Sequence, residues 1–481
     1  MQGHQSYQPQ LFSVFNMEDL IPPSHLLREV DKKIDFEFVR EITAELYCAN
    51  NGRPSIDPVL FIRICLLMTL YNIPSDRQVC EEIRYNLAYR WFCRLSIEDE
   101  VPDHSSLTRI RDRLGEETFK NIFDHVVRLC IEKGFVSGEK VMMDGSFIKA
   151  DAALNSLVPK ETDAPESNVV DIIGNKPSKY IKGKKFSNET HVSKTDPDCA
   201  LAGKVGEPKR LRYKVHETID RDSRVILDAH ITDGSEVDGK QMFSRIDHIE
   251  ETFGAMIAEF TGDRGYGYGA NLQELENRQI KSFVPNFHAD VGGHLEDKGF
   301  RYNKEKDTVT CPEGLELEFS VMADSKREND SCRIFTMKKG KCRTCPRLAQ
   351  CLPKSPEAEQ SYRKRITVNL HNEIQEKTKA REKSWEFRLV RGERQWKMEG
   401  IFAEAKDNHG LDRARYRGRA KVQIQAYMIA VVQNIKRMMG NGPVAEIGLR
   451  LAANAARPIG QTKFGEKLRI FFQIFLNPCF A

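Results

Sequence analysis

The sequence predicts an α/β protein: an all-helical N-terminal domain, then a mixed-sheet core that carries a cysteine-rich insertion. Three observations predict it. Apolar residues recur at helical spacing through the first 135 residues. From Lys140 the texture becomes strand-like, first as a hairpin and then as alternating helix and strand. A cysteine cluster, Cys342, Cys345 and Cys351 with Cys311 before it, interrupts that core. At 481 residues the chain is too long for one compact core. The expected divisions are 1–135, helical; 136–290, first part of the core; 291–375, insertion; 376–440, second part of the core; and 441–481, a tail.

Within the helical part, a Pro-rich start leads into IPPSHLLREVDKKIDFEFVREITAELY, which becomes helical in its second half. Asp57 before Pro58 is an N-cap with proline at the first helical position, and VLFIRICLLMTLY after it reads as a buried helix. Ser75 and Gln78 form a capping box, followed by Val79, Ile83 and Leu87 at spacing four. A third helix starts near Ser105, with Leu107, Ile110 and Leu114 on one side and Arg109, Arg111 and Arg113 over the rest. A fourth, Glu116 to about Lys133, carries Phe119, Ile122, Phe123 and Val126. Basic residues on a short helix between two others suit a helix-turn-helix contacting DNA phosphates and base edges. A plain bundle with solvated arginines fits the same pattern. Cys48, Cys65, Cys80, Cys93 and Cys130 read as small core residues.

The first strand, VMMDGSFIKAD, is an apolar run broken by Asp144. A polar, basic stretch from Ala152 to about Lys209 follows. RYKVHETIDRDSRVILDAHITDG then reads as two strands joined by a turn at Asp220 to Ser223. RIDHIEETFGAMIAEFTGDRGYG gives a helix and a strand ending at Asp263, where glycines allow a sharp turn. Ala270 to Arg278 is a helix and KSFVPN a short strand. This order brings Asp144 and Asp263 to one edge of a mixed sheet. Either aspartate alone is equally explained as a turn former or N-cap.

Twelve cysteines scattered through a long chain without an export signal predict reduced thiols. Cys342-x2-Cys345-x5-Cys351, with Cys311 about thirty residues earlier, offers four soft ligands in a zinc-ribbon-like insertion. A structural Zn²⁺ there would pin a segment expected to have little core of its own. Lys341, Arg343 and Arg347 would ease deprotonation of the thiols. An unmetallated cysteine-rich loop is the alternative, and Cys332, in a strand-like context, is left out of the set.

The stretch RQWKMEGIFAEAKDNHG places Glu399, Phe402 and Lys406 on one helix face, with Trp396 a turn earlier. Alone, it reads as an ordinary amphipathic helix with Glu399 solvated. With Asp144 and Asp263 it makes three carboxylates, the number that metal-dependent phosphoryl transfer asks for. Glu404, the rival ligand, lies about 140° around the helix from Glu399. Arg413, Arg415, Arg417 and Arg419 follow almost without acidic relief, which beside a carboxylate site predicts a polyanionic partner. The net charge is a mild +4. No apolar run of about 18 residues exists and MQGHQSYQPQLF lacks a signal-peptide pattern, so a cytoplasmic protein without a membrane span is expected.

These motifs resemble the DDE transposases of bacterial insertion sequences, in the branch with a cysteine-rich insertion. GRPSIDPVLFIRICLLMTLYNIPSDRQVCEEIRYNLAYRWF and VPDHSSLTRIRDRLG resemble their N-terminal helical domain. VMMDGSFIKADAA, TGDRGYGYGANLQEL and MEGIFAEAKDNHGLDRARYRGRAKVQIQAYMIAVVQNIKRM resemble the three catalytic segments. The resemblance implies a ribonuclease-H-like fold in which Asp144, Asp263 and Glu399 hold two Mg²⁺ or Mn²⁺ ions, cutting element ends and joining them to target DNA. It implies that Lys406 contacts a phosphate and that Arg413 to Arg419 hold the backbone. Tyrosine and arginine positions of the wider family are here Gly392 and Gln395, with Arg391 and Arg394 as neighbouring substitutes. It further implies double-stranded DNA (terminal inverted repeats and target) as partner, a homo-oligomer on paired ends, and a nucleoid-associated bacterial setting. The competing reading is a non-catalytic, sequence-specific DNA-binding protein derived from a transposase; a weaker one is a nuclease that cuts without joining. The tail from Val444 reads as a short apolar element packing on the core or on another protomer.

Overall fold

The computed structural model describes residues 16–48, 55–160, 186–204, 206–287, 295, 298–324, 331–351 and 363–440. The tail 441–481 and part of the basic stretch before Lys209 lie outside the described residues.

The helical region comprises α1 (Leu26–Lys33), α2 (Phe38–Thr43), α3 (Pro58–Leu70), α4 (Asp76–Tyr85), α5 (Leu87–Phe92) and α6 (His104–Glu132). Asp57 caps α3 by accepting from Val59 N at 2.9 Å, and the helix is buried on almost every side. Ser75 caps α4 by accepting from Gln78 N at 3.2 Å. The Gln78 side chain, however, donates forward to Glu82, so only half of the expected capping box forms. The two helices expected around Gly115 run on as α6, broken where Gly115 takes φ 66° and ψ 175°. Four of the five expected core cysteines are buried; Cys48 is exposed, in the loop after Leu46.

The core sheet contains β1 (Lys140–Lys149), β2 (Ala200–Ala202), β3 (Arg210–Asp220), β4 (Ile226–Asp233), β5 (Glu259–Thr261) and β6 (Lys281–Phe283). Its order is β4–β3–β1–β5–β6, with β2 also pairing the start of β3. β3 runs antiparallel to both β1 and β4, whereas β5 and β6 run parallel to β1. Parallel neighbours need crossovers, and α7 (Asp238–Phe253) and α8 (Gly269–Asn277) supply them. β1 is central.

The insertion forms a second sheet, a five-stranded antiparallel meander in the order β11–β10–β9–β8–β7. Its strands are β7 (Arg301–Asn303), β8 (Thr308–Thr310), β9 (Glu316–Asp324), β10 (Ser331–Thr336) and β11 (Arg365–Asn369). Contrary to expectation it has a small core of its own, around Phe300, Val309, Leu317, Phe335, Met337 and Val368.

Three helices close the described chain: α9 (Asn372–Glu382), α10 (Trp385–His409) and α11 (Arg419–Met438). The buried stripe Phe387, Val390, Met398, Ile401 and Ala405 lays α10 across β1, β5 and β6. α11 is buried on nearly every side, between β4 and the pair α3 and α6. Helical region and sheet therefore share one continuous core, from Ile21 to Met438. Side chains of α11 also reach the outer backbone of β4. Gln423 accepts from Ile231 N and donates to Ala229 O, both at 2.7 Å, and Asn434 pairs with both backbone groups of Ile226.

Candidate active site

β1 and β5 are parallel neighbours in the register Met142↔Thr261. Two residues further along each chain come Asp144, within β1, and Asp263, just past the end of β5. Asp144 Oδ1 accepts from Gly145 N at 2.8 Å, and Asp263 Oδ1 from Gly265 N at 2.7 Å. Burial pushes the Asp144 carboxyl up to about 6; Arg394 opposes the rise and Asp263 adds to it. The Asp263 carboxyl is raised by burial as well, again opposed by Arg394. The cation beside them is Arg394 of α10, whose Nη2 lies 2.6 Å from Asp144 Oδ2. Its side chain is only 14% exposed. Arg394, offered from sequence as a substitute phosphate contact, is thus paired with Asp144.

Glu399 is exposed and, among the described residues, makes no ion pair or hydrogen bond. It shares a side of α10 with Lys406, whose Nζ donates to Ser146 Oγ at 2.6 Å. Ser146 is two residues beyond Asp144, on the same face of β1. The structure therefore pairs Arg394 with Asp144, sets Asp263 near enough to influence the Asp144 carboxyl, and leaves Glu399 outside the cluster. Glu404 is turned away as expected. Burial alone would raise its carboxyl, but His409, Arg437 and Lys436 hold it well below the usual range.

Two acidic residues escaped the sequence reading. Asp238 opens α7 with Lys214 Nζ at 3.2 Å and His216 Nδ1 at 3.4 Å from its Oδ1. It is packed so closely that a Cβ on Gly145 would strike its carboxylate. Glu217 lies directly opposite Asp144 in the β1–β3 register and is wholly buried. Neither of its carboxyl oxygens has a hydrogen-bond partner among the described residues, and burial pushes its pKa up to about 8. Acidic residues within otherwise apolar strand and helix-start patterns were the available signal.

The arginines divide into two sets. Arg109, Arg113 and Arg419 are exposed, and Arg413 and Arg417 are exposed while sharing Asp151 at 2.8 and 3.1 Å. Arg111 and Arg415 differ from the expectation of a DNA-facing role. Arg111 is buried in a two-pronged pair with Asp76, at 2.7 and 2.9 Å, and stacks on Tyr416. Arg415 turns inward to Asn72 Oδ1 and the His409 carbonyl. Both tie α10 and its following loop to the helical region.

Cys311, Cys342, Cys345 and Cys351 converge on one cavity, of about 810 Å³, at the end of the second sheet. Cys345 N donates to Cys342 O at 3.2 Å, the turn expected of a C-x2-C pair. The Cys351 thiol is raised by burial and, Lys364 opposing, by the three other cysteines. Among the described residues no three His, Cys, Asp or Glu side chains are drawn together tightly enough to hold an ion as they stand. No described helix is long and apolar enough to cross a membrane.

Residues 15–113 match the family described as Transposase domain (DUF772). Residues 310–439 match the family described as Transposase DDE domain. No curated protein matches the chain. Among solved structures, it is similar to a piggyBac transposase synaptic complex with hairpin DNA at 8% identity, over 94% of this chain and 80% of that one, with a TM-score of 0.33. A Mos1 transposase paired-end complex with left transposon end is similar at 12% identity over 49% of this chain and 61% of that one, TM-score 0.15. A Mos1 mariner paired end complex with Mn is similar at 12% identity over 51% and 64%, TM-score 0.15. The chain thus carries a match to a transposase domain followed by a match to a transposase DDE domain, in the order in which its own motifs run.

Proposed function

We propose that this transposase cuts DNA at the ends of a mobile element and joins those ends to a target, at a centre formed by Asp144, Asp263 and Glu399. The placement of Asp144 within β1 and of Asp263 just beyond the end of its parallel neighbour β5 carries the reading. Two half-buried carboxylates whose ionisation burial disfavours, Asp144 further so through Asp263, form a place where a cation is favoured, and a guanidinium already stands beside Asp144. The donors are hard oxygens, which fit Mg²⁺ or Mn²⁺. Divalent ions, when bound, supply the charge that activates an attacking oxygen and stabilises a leaving one at phosphorus. Glu399 would complete the set from α10. The sheet order, with an antiparallel β4–β3–β1 half and a parallel β1–β5–β6 half, supports a ribonuclease-H-like core.

The chain's own cations do the rest. Lys406, held over β1 by Ser146, donates to a phosphate near the cut. Arg413, Arg417, Arg419, Arg109 and Arg113 hold the DNA backbone, a role not extended to the buried Arg111 or the inward-turned Arg415. The four converging thiols fit a structural Zn²⁺, because a soft ion that displaces their protons relieves the crowding felt by Cys351. Transposition on paired ends implies a homo-oligomer.

The test is cleavage and joining of DNA carrying the sequences that flank the gene, with and without Mg²⁺ or Mn²⁺, for wild type, Asp144→Asn and Glu399→Gln. Metal-dependent cutting by wild type, with both variants inert yet binding DNA, is the expected result. Equal behaviour of all three proteins would make the carboxylates structural and the chain a DNA-binding protein.

A further inference from the structure

Arg394 occupies a place that α10 otherwise gives to apolar side chains. Phe387, Val390, Met398, Ile401 and Ala405 form the stripe buried against the sheet, and Arg394 falls in the middle of it, one turn from Val390 and one from Met398. A guanidinium in such a stripe is costly unless it is paired. Its ion pair among the described residues is with Asp144, and its Nε is buried with no hydrogen-bond partner among them. The neighbouring cations are engaged elsewhere, Lys214 on Asp238 and Lys406 on Ser146. A methionine or leucine would pack the stripe better, so the position is explained by charge.

We infer that Arg394 is a resident counter-cation that blocks the metal site in the DNA-free protein. It neutralises Asp144, and through space Asp263, while no divalent ion is bound. For an ion to reach Asp144, the guanidinium has to withdraw. An incoming DNA phosphate offers it a replacement partner of the same geometry. Ion binding and DNA binding then favour one another, because each removes Arg394 from the position the other needs it to leave. This inference rests on the proposed carboxylate site.

Electron paramagnetic resonance of Mn²⁺ titrated into the DNA-free full chain tests it. Arg394→Gln and Arg394→Met should bind Mn²⁺ at least about tenfold more tightly than wild type, a change of ~1.4 kcal/mol. Sonicated duplex DNA, with Mn²⁺ bound by DNA alone subtracted, should tighten Mn²⁺ binding by wild type and leave the variants unchanged. Asp144→Asn should lose binding altogether. If the variants bind no more tightly than wild type while Asp144→Asn binds nothing, the counter-cation idea is overturned and the carboxylate site stands. If Asp144→Asn binds as wild type does, the site itself is misassigned. Arg394→Met restores the apolar stripe and is the variant expected to fold. Should neither variant fold, equal Mn²⁺ affinity of wild type with and without duplex overturns the inference.

Discussion

Glu217→Gln should make the protein's stability less sensitive to pH, in a direction fixed by burial. Glu217 is fully buried, its two oxygens lack partners among the described residues, and its carboxyl is pushed up from 4.5 to about 8. In the unfolded chain the same carboxyl ionises in the ordinary range. Its folded pKa is the higher one, so the stability it contributes is complete below about pH 4.5 and is lost as pH rises through about 8. A shift of that size corresponds to roughly 4 to 5 kcal/mol between those limits, at ~1.36 kcal/mol per unit. Glutamine keeps the shape and removes the titration. The assay is urea denaturation of wild type and variant across the range, read as the difference between them so that other titrating groups cancel. Near pH 5 the two should agree within about 1 kcal/mol, and by about pH 8.5 the variant should be more stable by several kcal/mol. A difference that stays flat with pH would refute the reasoning, since it would mean that Glu217 ionises freely in the folded protein.

Four other outcomes are expected. Arg111→Ala should destabilise by ~3 kcal/mol by stranding Asp76 in a buried pair, while the salt dependence of DNA binding is unchanged. Arg413→Ala and Arg417→Ala should leave stability within ~0.5 kcal/mol and each lower the slope of log affinity against log salt by about 1, measured by fluorescence anisotropy. Gly267→Ala should destabilise by more than ~4 kcal/mol, because its Cβ would collide with the Pro285 carbonyl and push apart the loop that seats Asp263; insoluble expression or a much lower melting temperature is the readout. Cys345→Ser should lose bound zinc by elemental analysis, with proteolysis then starting in the β7–β11 sheet.

The helices were legible because their signals are local. Asp57 and Ser75 cap where their spacing says, and the change of period at Lys140 marks the start of β1. Asp144 and Asp263 stand out in the sequence because a charged residue interrupts or closes each apolar run. What stayed hidden depends on tertiary packing. Arg394 differs from the exposed arginines only by lying on the buried stripe of α10, which needs the orientation of the helix against the sheet. Glu217 gains its meaning from the β1–β3 register, and Asp238 from the crossover that returns α7 beside Gly145. Arg111 and Arg415 sit in runs that look uniformly solvated, and only the docking of α10 and α11 on the helical region buries them. The sheet of the insertion was hidden by strands such as Glu316–Asp324, where charged residues alternate with apolar ones around the cysteines that drew the eye.

The side chains of Gln423 and Asn434 seal the outer edge of β4 in the way a further strand would. An open sheet edge is a template on which another chain can add a strand. Here the backbone groups of Ile226, Ala229 and Ile231 are already taken by α11. A second chain therefore finds no free backbone at these positions, and strand addition across β4 would first have to displace the Gln423 and Asn434 side chains.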